Sequence, residues 1–218
     1  MIITIDGPAA AGKGTLASAI AAKYKFAYFD TGMVYRAVGL LMILNNKDLS
    51  DEQSAIDFAS DLTFPQMMEL AKNPEFRSAK GGQAASIVSA IKGVRSALLS
   101  MQQNFALNPV FADGSKANGV VYDGRDTGTV VCPNADLKLF ITASPEVRAK
   151  RRYDEFLQKG MPAVYEEVLA DIKARDERDS NRSTAPLKPA DDAIIIDTSD
   201  LNIAEVFAHV DELIQKRI

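Results

Sequence analysis

Eleven residues, Ile5-Asp6-Gly7-Pro8-Ala9-Ala10-Ala11-Gly12-Lys13-Gly14-Thr15, constrain the possible folds of this chain more than any other stretch. They follow a β-branched run, Ile2-Ile3-Thr4-Ile5, and precede an alanine-rich helical segment, so the order is strand, loop, helix. The spacing G-x-x-x-x-G-K is that of a loop that wraps a triphosphate. Gly7 and Gly12 let the backbone turn with its amides inward, Lys13 reaches the outer phosphates, and the helix N-terminus adds positive partial charge. A tight turn alone would explain the glycines and alanines, but it has no use for a lysine there. Lys13 is followed by Gly14 and only then by Thr15, whereas the commonest form sets Ser or Thr directly after the lysine to bind magnesium.

The chain has 218 residues, 47% hydrophobic and 25% charged, which suits one ordinary globular domain with its own core. No apolar run approaches membrane length and no basic leader precedes one, so a cytosolic, untargeted chain is expected. Cys132 is the single cysteine and His209 the single histidine, which excludes an internal disulfide and a zinc cluster built on them. Cys132 is expected to pack as a small hydrophobe and His209 to lie on or near the surface of the final helix. A formal net charge of -4 argues against a general nucleic-acid surface. Arginines are nevertheless concentrated: Arg125, Arg148, Arg151, Arg152, Arg175, Arg178 and Arg182 fall in one stretch, which implies a local anion site.

Along the chain, strands are expected at Ile2–Asp6, from Phe26 to Asp30, at Val120–Asp123, Leu137–Ile141 and from Ala193 to Asp197. Helices are expected at Lys13–Tyr24, Met33 to about Leu44 behind a Thr31 cap, and Asp51–Ser60 behind a Ser50-x-x-Gln53 capping box. Between Asp61 and Gly82 the prolines and Gly81-Gly82 break the pattern, and Phe64–Met68 reads as loop or short helix. Further helices are expected at about Gln83–Lys92, Val94–Phe105, Ser144 to Lys159, Ala163 to Ser180 and Ile203–Lys216. Alternating strands and helices give a parallel sheet covered on both faces, with ligands at the carboxyl ends of the strands. The loop at 7–15, Asp30–Arg36 and Asp123–Gly128 all fall at such ends.

Arg36 and Arg125 both sit near strand ends, and two planar forks suit bidentate phosphate binding better than lysines would. Arg175, Arg178, Asp179 and Arg182 share one face if the helix runs through them. A solvated row of salt bridges is the plain explanation of such a face. The preferred one is an arginine-bearing lid, because Arg148, Arg151 and Arg152 on the preceding helix supply the other half of a hairpin. Phosphoryl transfer is mostly positioning and charge stabilisation, and it gathers cations in this way.

The G-K-G-T form of the first loop resembles nucleoside monophosphate kinases. With it, Asp30-Thr31-Gly32-x-x-Tyr35-Arg36, Asp123-Gly124-Arg125-Asp126-x-Gly128, Arg151-Arg152-Tyr153, Arg175-Asp176-x-Arg178-Asp179-x-Asn181-Arg182, Pro186-Leu187-x-Pro189-Ala190 and Ile196-Asp197-Thr198-Ser199 resemble the cytidylate kinase family of the bacterial type. The match covers nearly the whole chain in order. The resemblance implies a P-loop kinase fold of the α/β class: a five-stranded parallel sheet with helices on both faces, plus acceptor-binding and lid insertions. Residues 1–218 would form a single domain, the acceptor-binding insertion at about 31–105 and the lid at about 146–182. It implies ATP-dependent phosphorylation of CMP and dCMP. ATP would lie on Gly7, Pro8, Ala9, Ala10, Ala11, Gly12, Lys13, Gly14 and Thr15, with Mg2+ held mainly through water and phosphates. Arg36, Arg125 and Arg182 would hold the acceptor phosphate. Ser86, Arg95 and Asp126 would read the cytosine edge, Asp179 with Arg175 would hold the sugar, and Thr31 and Tyr35 would complete the acceptor site. Lys13, Arg125, Arg151, Arg152 and Arg178 would act on the transferring group. The partners would be these small molecules, with no nucleic acid and no membrane, and the chain would be a monomer. Where the family carries a longer insertion with short strands, this chain has only Leu62–Gly82.

Two other readings compete with this one. A kinase of the same fold acting on UMP, AMP or a small alcohol would share the loop and lid but not the pairing of 123–126 with 175–182. A nucleotide-binding regulator would want Asn-Lys-x-Asp and Asp-x-x-Gly, and neither occurs.

Overall fold

β-Branched residues favour extended backbone, and Ile2–Asp6 forms β1 at the centre of a five-stranded sheet in the computed structural model, which describes residues 1–218. The order is β2-β3-β1-β4-β5, with β2 Ala27–Asp30, β3 Val120–Gly124, β4 Leu137–Thr142 and β5 Ile194–Asp197. β1 runs parallel to β3, with Ile3 opposite Val121, and parallel to β4, with Ile3 opposite Leu137; β4 runs parallel to β5. Successive side chains of β1 separate by face. Ile3 and Ile5 join Leu139, Ile141 and Ile196 in an apolar cluster. Leu16, Ala17 and Ile20 of α1 (Lys13–Tyr24) and Val206, Val210 and Ile214 of the last helix, α9 (Ile203–Gln215), cover it. Thr4 and Asp6 point the other way, toward a π-helical turn at Thr127–Val131.

The chain divides into two compact units, one of Met1–Phe29 with Pro109–Ile218 and one of Asp30–Asn108. In the first, α7 (Pro145–Gln158) and α8 (Tyr165–Asn181) form a helical hairpin. Ser144 caps α7 by accepting from Val147 N, and Gly160 at φ 68 allows the turn after it. The second unit is helical: α2 (Gly32–Leu44), α3 (Glu52–Asp61), α4 (Phe64–Leu70), a 3-10 turn at Pro74–Arg77, α5 (Ala79–Val88) and α6 (Lys92–Leu107). α2 is apolar almost all round, with Val34, Ala37, Val38, Leu40 and Met42 buried, and it packs against α3, α4 and α5.

The sequence expectations for the sheet and most helices hold, and the differences have local causes. Thr31 precedes α2 but its side chain makes no capping bond. Its backbone is already helical, at φ -66 and ψ -18, and Asp30 Oδ1 accepts from Gly32 N instead, at 2.8 Å. Ser50 does not cap α3 either: Asp48 Oδ1 takes both its N–H and its hydroxyl, and Asp51 caps through Ser54 N. Segment 62–82 is broken as expected, into the short helix α4 with a capping box from Thr63 to Gln66, the 3-10 turn and the start of α5. Gly81 and Gly82 lie in the first turn of α5, which begins at Ala79, ahead of the expected start at Gln83, and neither of them ends a helix. A Cβ on Gly81 would strike the Glu75 carbonyl oxygen, so that position answers to close approach and not to chain reversal. Cys132 is buried and His209 is exposed, as expected.

Candidate active site

The phosphate loop leaves β1 with Gly7 at φ 145, where a Cβ would run into the Ile141 carbonyl of β4; only glycine fits. Ala10 at φ 58 and Gly12 at φ 90 continue the left-handed backbone. Lys13 opens α1 and is buried, its Nζ donating to Pro8 O at 2.9 Å and lying 3.8 Å from Asp123 Oδ1 at the end of β3. Burial first, then the charge of Arg125, pull the lysine down to about 8, against the opposing pull of Asp123. Gly14 lies against Asp123, and Thr15 is exposed on α1.

Behind Asp123 comes the arginine cluster. Arg125 Nε donates to Asp179 Oδ2 at 3.0 Å and its Nη1 to Gly124 O, while Arg175 Nε stands 4.0 Å from the same Asp179 oxygen. Burial would raise the Asp179 carboxyl, but Arg125, Arg175 and Arg182 outweigh it and hold it below the ordinary value. Arg182 lies one residue past the end of α8, where its Nε donates to Ala185 O. The expected shared helical face is thus altered: Arg182 reaches the cluster from a turn, and Arg178 is exposed beside buried Asp179. Asp126 is buried, its carbonyl accepting from Val130 N as the π-helical turn begins.

Arg151 donates to Thr198 through Nη1 and Nη2, and Arg152 pairs with Glu155 and lies over the Phe156 ring, 4.5 Å from its centroid. Arg148 departs from the expectation that it joins those cations around phosphate. It is 3% exposed and fully engaged inside the hairpin base, with Asp176, Ala143 and Ala9 as partners. In the second unit, Arg95 donates to Ser89 O at 3.1 Å and lies over the Tyr35 ring at 5.1 Å. Ser86, Thr31 and Tyr35 are buried, and Arg36 donates to Phe76 O at 2.9 Å beside Gly82.

Asp6 was not singled out from the sequence. Its two carboxylate oxygens accept from Thr127 N, Thr127 Oγ1 and Gly128 N at 2.7 to 2.8 Å, so the residue before the phosphate loop pins the turn that follows Arg125-Asp126. The signal was there: a charged residue closes an otherwise apolar strand. No three His, Cys, Asp or Glu side chains gather as a metal-ligand set.

A buried lysine in a phosphate loop, within the field of Arg125 at the end of β3 and Arg175 on α8, suits the handling of more than one phosphate group. With the parallel α/β sheet, these features define a P-loop kinase, a phosphotransferase. The family model for cytidylate kinase matches residues 3–216, and the chain belongs to that family. It is 49% identical over 218 residues to the cytidylate kinase of Xanthobacter autotrophicus, covering 100% of this chain and 98% of that one. To the cytidylate kinase of Paramagnetospirillum magneticum it is 52% identical over 207 residues, covering 95% and 94%. A solved structure of an uncharacterized protein from Eubacterium ventriosum shares the fold, with a TM-score of 0.53, 15% identity and coverage of 100% and 99%. No single helix is long and apolar enough to cross a membrane.

Proposed function

We propose that this chain transfers the γ-phosphoryl group of ATP to CMP and dCMP, giving ADP and the nucleoside diphosphate. The observation that carries the reading is the position of Lys13 within reach of the charges of Arg125 and Arg175, in a chain of the cytidylate kinase family. The acceptor oxygen of a monophosphate is already ionised near neutral pH, so the protein's task is to position two anions and offset their repulsion. ATP takes the loop from Gly7 to Thr15. In the first unit, Arg125 and Arg182 take the acceptor phosphate, Asp179 with Arg175 the sugar, and Asp126 the base. In the second unit, Arg36 serves the phosphate, Ser86 and Arg95 the cytosine edge, and Thr31 and Tyr35 support them. Arg151, Arg152 and Arg178 stabilise the transferring group when the hairpin of about 146–182 closes as a lid and water is excluded.

The donor set fits a magnesium ion carried by the nucleotide. Both Asp6 oxygens are already engaged, and no carboxylate cluster stands ready to hold a bare ion. Phosphate oxygens and water would hold Mg2+, with Thr15 on phosphate and Asp123 anchoring a water, and the bound ion supplies charge neutralisation. The reading extends to a monomer working in the cytoplasm, and light scattering after gel filtration tests the first part.

The deciding experiment follows ADP formation from ATP and magnesium with CMP, dCMP, UMP, AMP, GMP or shikimate offered one at a time. Turnover dominated by CMP and dCMP is expected. Equal use of UMP or AMP would keep the phosphate arginines and remove the roles given to Ser86, Arg95 and Asp126.

A further inference from the structure

One charged side chain, Arg148, bonds the hairpin base to the phosphate loop. Arg148 Nε donates to Ala143 O at 2.8 Å, Nη1 to Ala9 O at 3.2 Å and to Asp176 Oδ1 at 2.9 Å, and Nη2 to Asp176 Oδ2 at 2.6 Å. One planar fork thus meets the end of β4, the loop and α8, a set that a lysine's point charge cannot satisfy. Ala9 and Ala10 also pack into the hairpin's apolar core with Ala149, Val168 and Ile172. The geometry points to Arg148 as a positioning residue for phosphoryl transfer, setting the phosphate loop and the α8 side of the lid in one register. This rests on the kinase reading above.

Two consequences of the contact set carry the inference. Because the peptide is planar and trans, fixing the Ala9 carbonyl toward Arg148 turns the Ala10 N–H the opposite way. Ala10 then holds φ 58, a conformation that an alanine keeps only when its neighbours impose it. On the other side, the bidentate bond fixes the rotation of α8 at Asp176, between Arg175 and the Asp179 turn.

The test compares two rates, ATP hydrolysis without acceptor and transfer to CMP. Their ratio is independent of how much of a variant is folded, so a merely structural role would leave it unchanged. Removing one partner of a buried pair can prevent folding, whereas replacing both with apolar groups is tolerated. Arg148→Met/Asp176→Leu is therefore the main variant, with Asp176→Asn deciding by the same ratio if the double variant does not fold. A rise of about ten-fold in the hydrolysis-to-transfer ratio is expected, with partial recovery of transfer in Arg148→Lys. A ratio within about twofold of wild type in a folded variant would overturn the role of Arg148 while leaving the kinase intact. Wild type without CMP-dependent turnover would overturn both.

Discussion

Arg125 Nε lies 3.0 Å from Asp179 Oδ2, which ties the end of β3 to the last turn of α8 through two groups assigned to the same ligand. Arg125, proposed above for the acceptor phosphate, is thus held in place by an internal anion.

That arrangement has a pH signature. The Asp179 pKa is depressed in the fold, so its contribution to stability is present above the ordinary carboxylate value of about 3.9 and is lost as pH falls through the folded value. Asp179→Asn should flatten the fall of Tm below about pH 4 and raise the KM for CMP. Calorimetry from pH 3 to 7 checks the first effect, and acid limbs that stay parallel would refute it.

Lys13 carries the opposite sign. Its folded value of about 8 lies below the ordinary 10.5, so the charged lysine costs stability at neutral pH and that cost fades as pH rises past 8. Without nucleotide at pH 7, Lys13→Met should melt at or above the wild-type temperature. Its turnover should drop by about 10²–10³-fold or more. A variant that melts lower would mean that the Asp123 pairing outweighs desolvation.

Arg36 tests the division of labour between donor and acceptor. Arg36→Ala should raise the KM for CMP by about ten-fold or more, since a charge-assisted bidentate contact is lost, while ATP binding changes little. Steady-state kinetics with each substrate varied separately gives the answer, and equal weakening of both would remove the assignment.

Gly7→Ala should destabilise the chain by about 2 kcal/mol or more, because the new Cβ meets the Ile141 carbonyl at a φ that alanine resists. Urea unfolding measures it. A loss below about 0.5 kcal/mol would show that β4 yields at that point.

Burial, then Asp6, pushes the Cys132 thiol up to about 11, so native protein at pH 8 should react with a thiol reagent only at the rate of opening. Immediate stoichiometric reaction would contradict the packing.

The sheet and the phosphate loop were legible because their signals are local: β-branched runs, and glycines at fixed offsets from one lysine. The same holds for Ser144 and Gly160 at the ends of α7. What escaped depends on contacts distant in sequence. Asp6 meets Thr127 and Gly128 across 121 and 122 positions, and Arg148 meets Asp176 across 28, so neither spacing announces a partner. Thr31 and Ser50 failed as caps because neighbouring aspartates intervene: Asp30 accepts from Gly32 N, Asp48 engages Ser50's own N–H and hydroxyl, and Asp51 caps α3 through Ser54 N. Gly81-Gly82 was misread because a glycine demanded by a neighbouring carbonyl is indistinguishable, in sequence, from one that breaks a helix.

Ala9 and Ala10, lodged among the apolar side chains of the hairpin, also limit how this enzyme can be rebuilt. A hairpin grafted from another kinase would bring its own residues at positions 168 and 172 and would demand matching ones in the loop. Loop and hairpin are therefore one exchangeable cassette, to be swapped or diversified together.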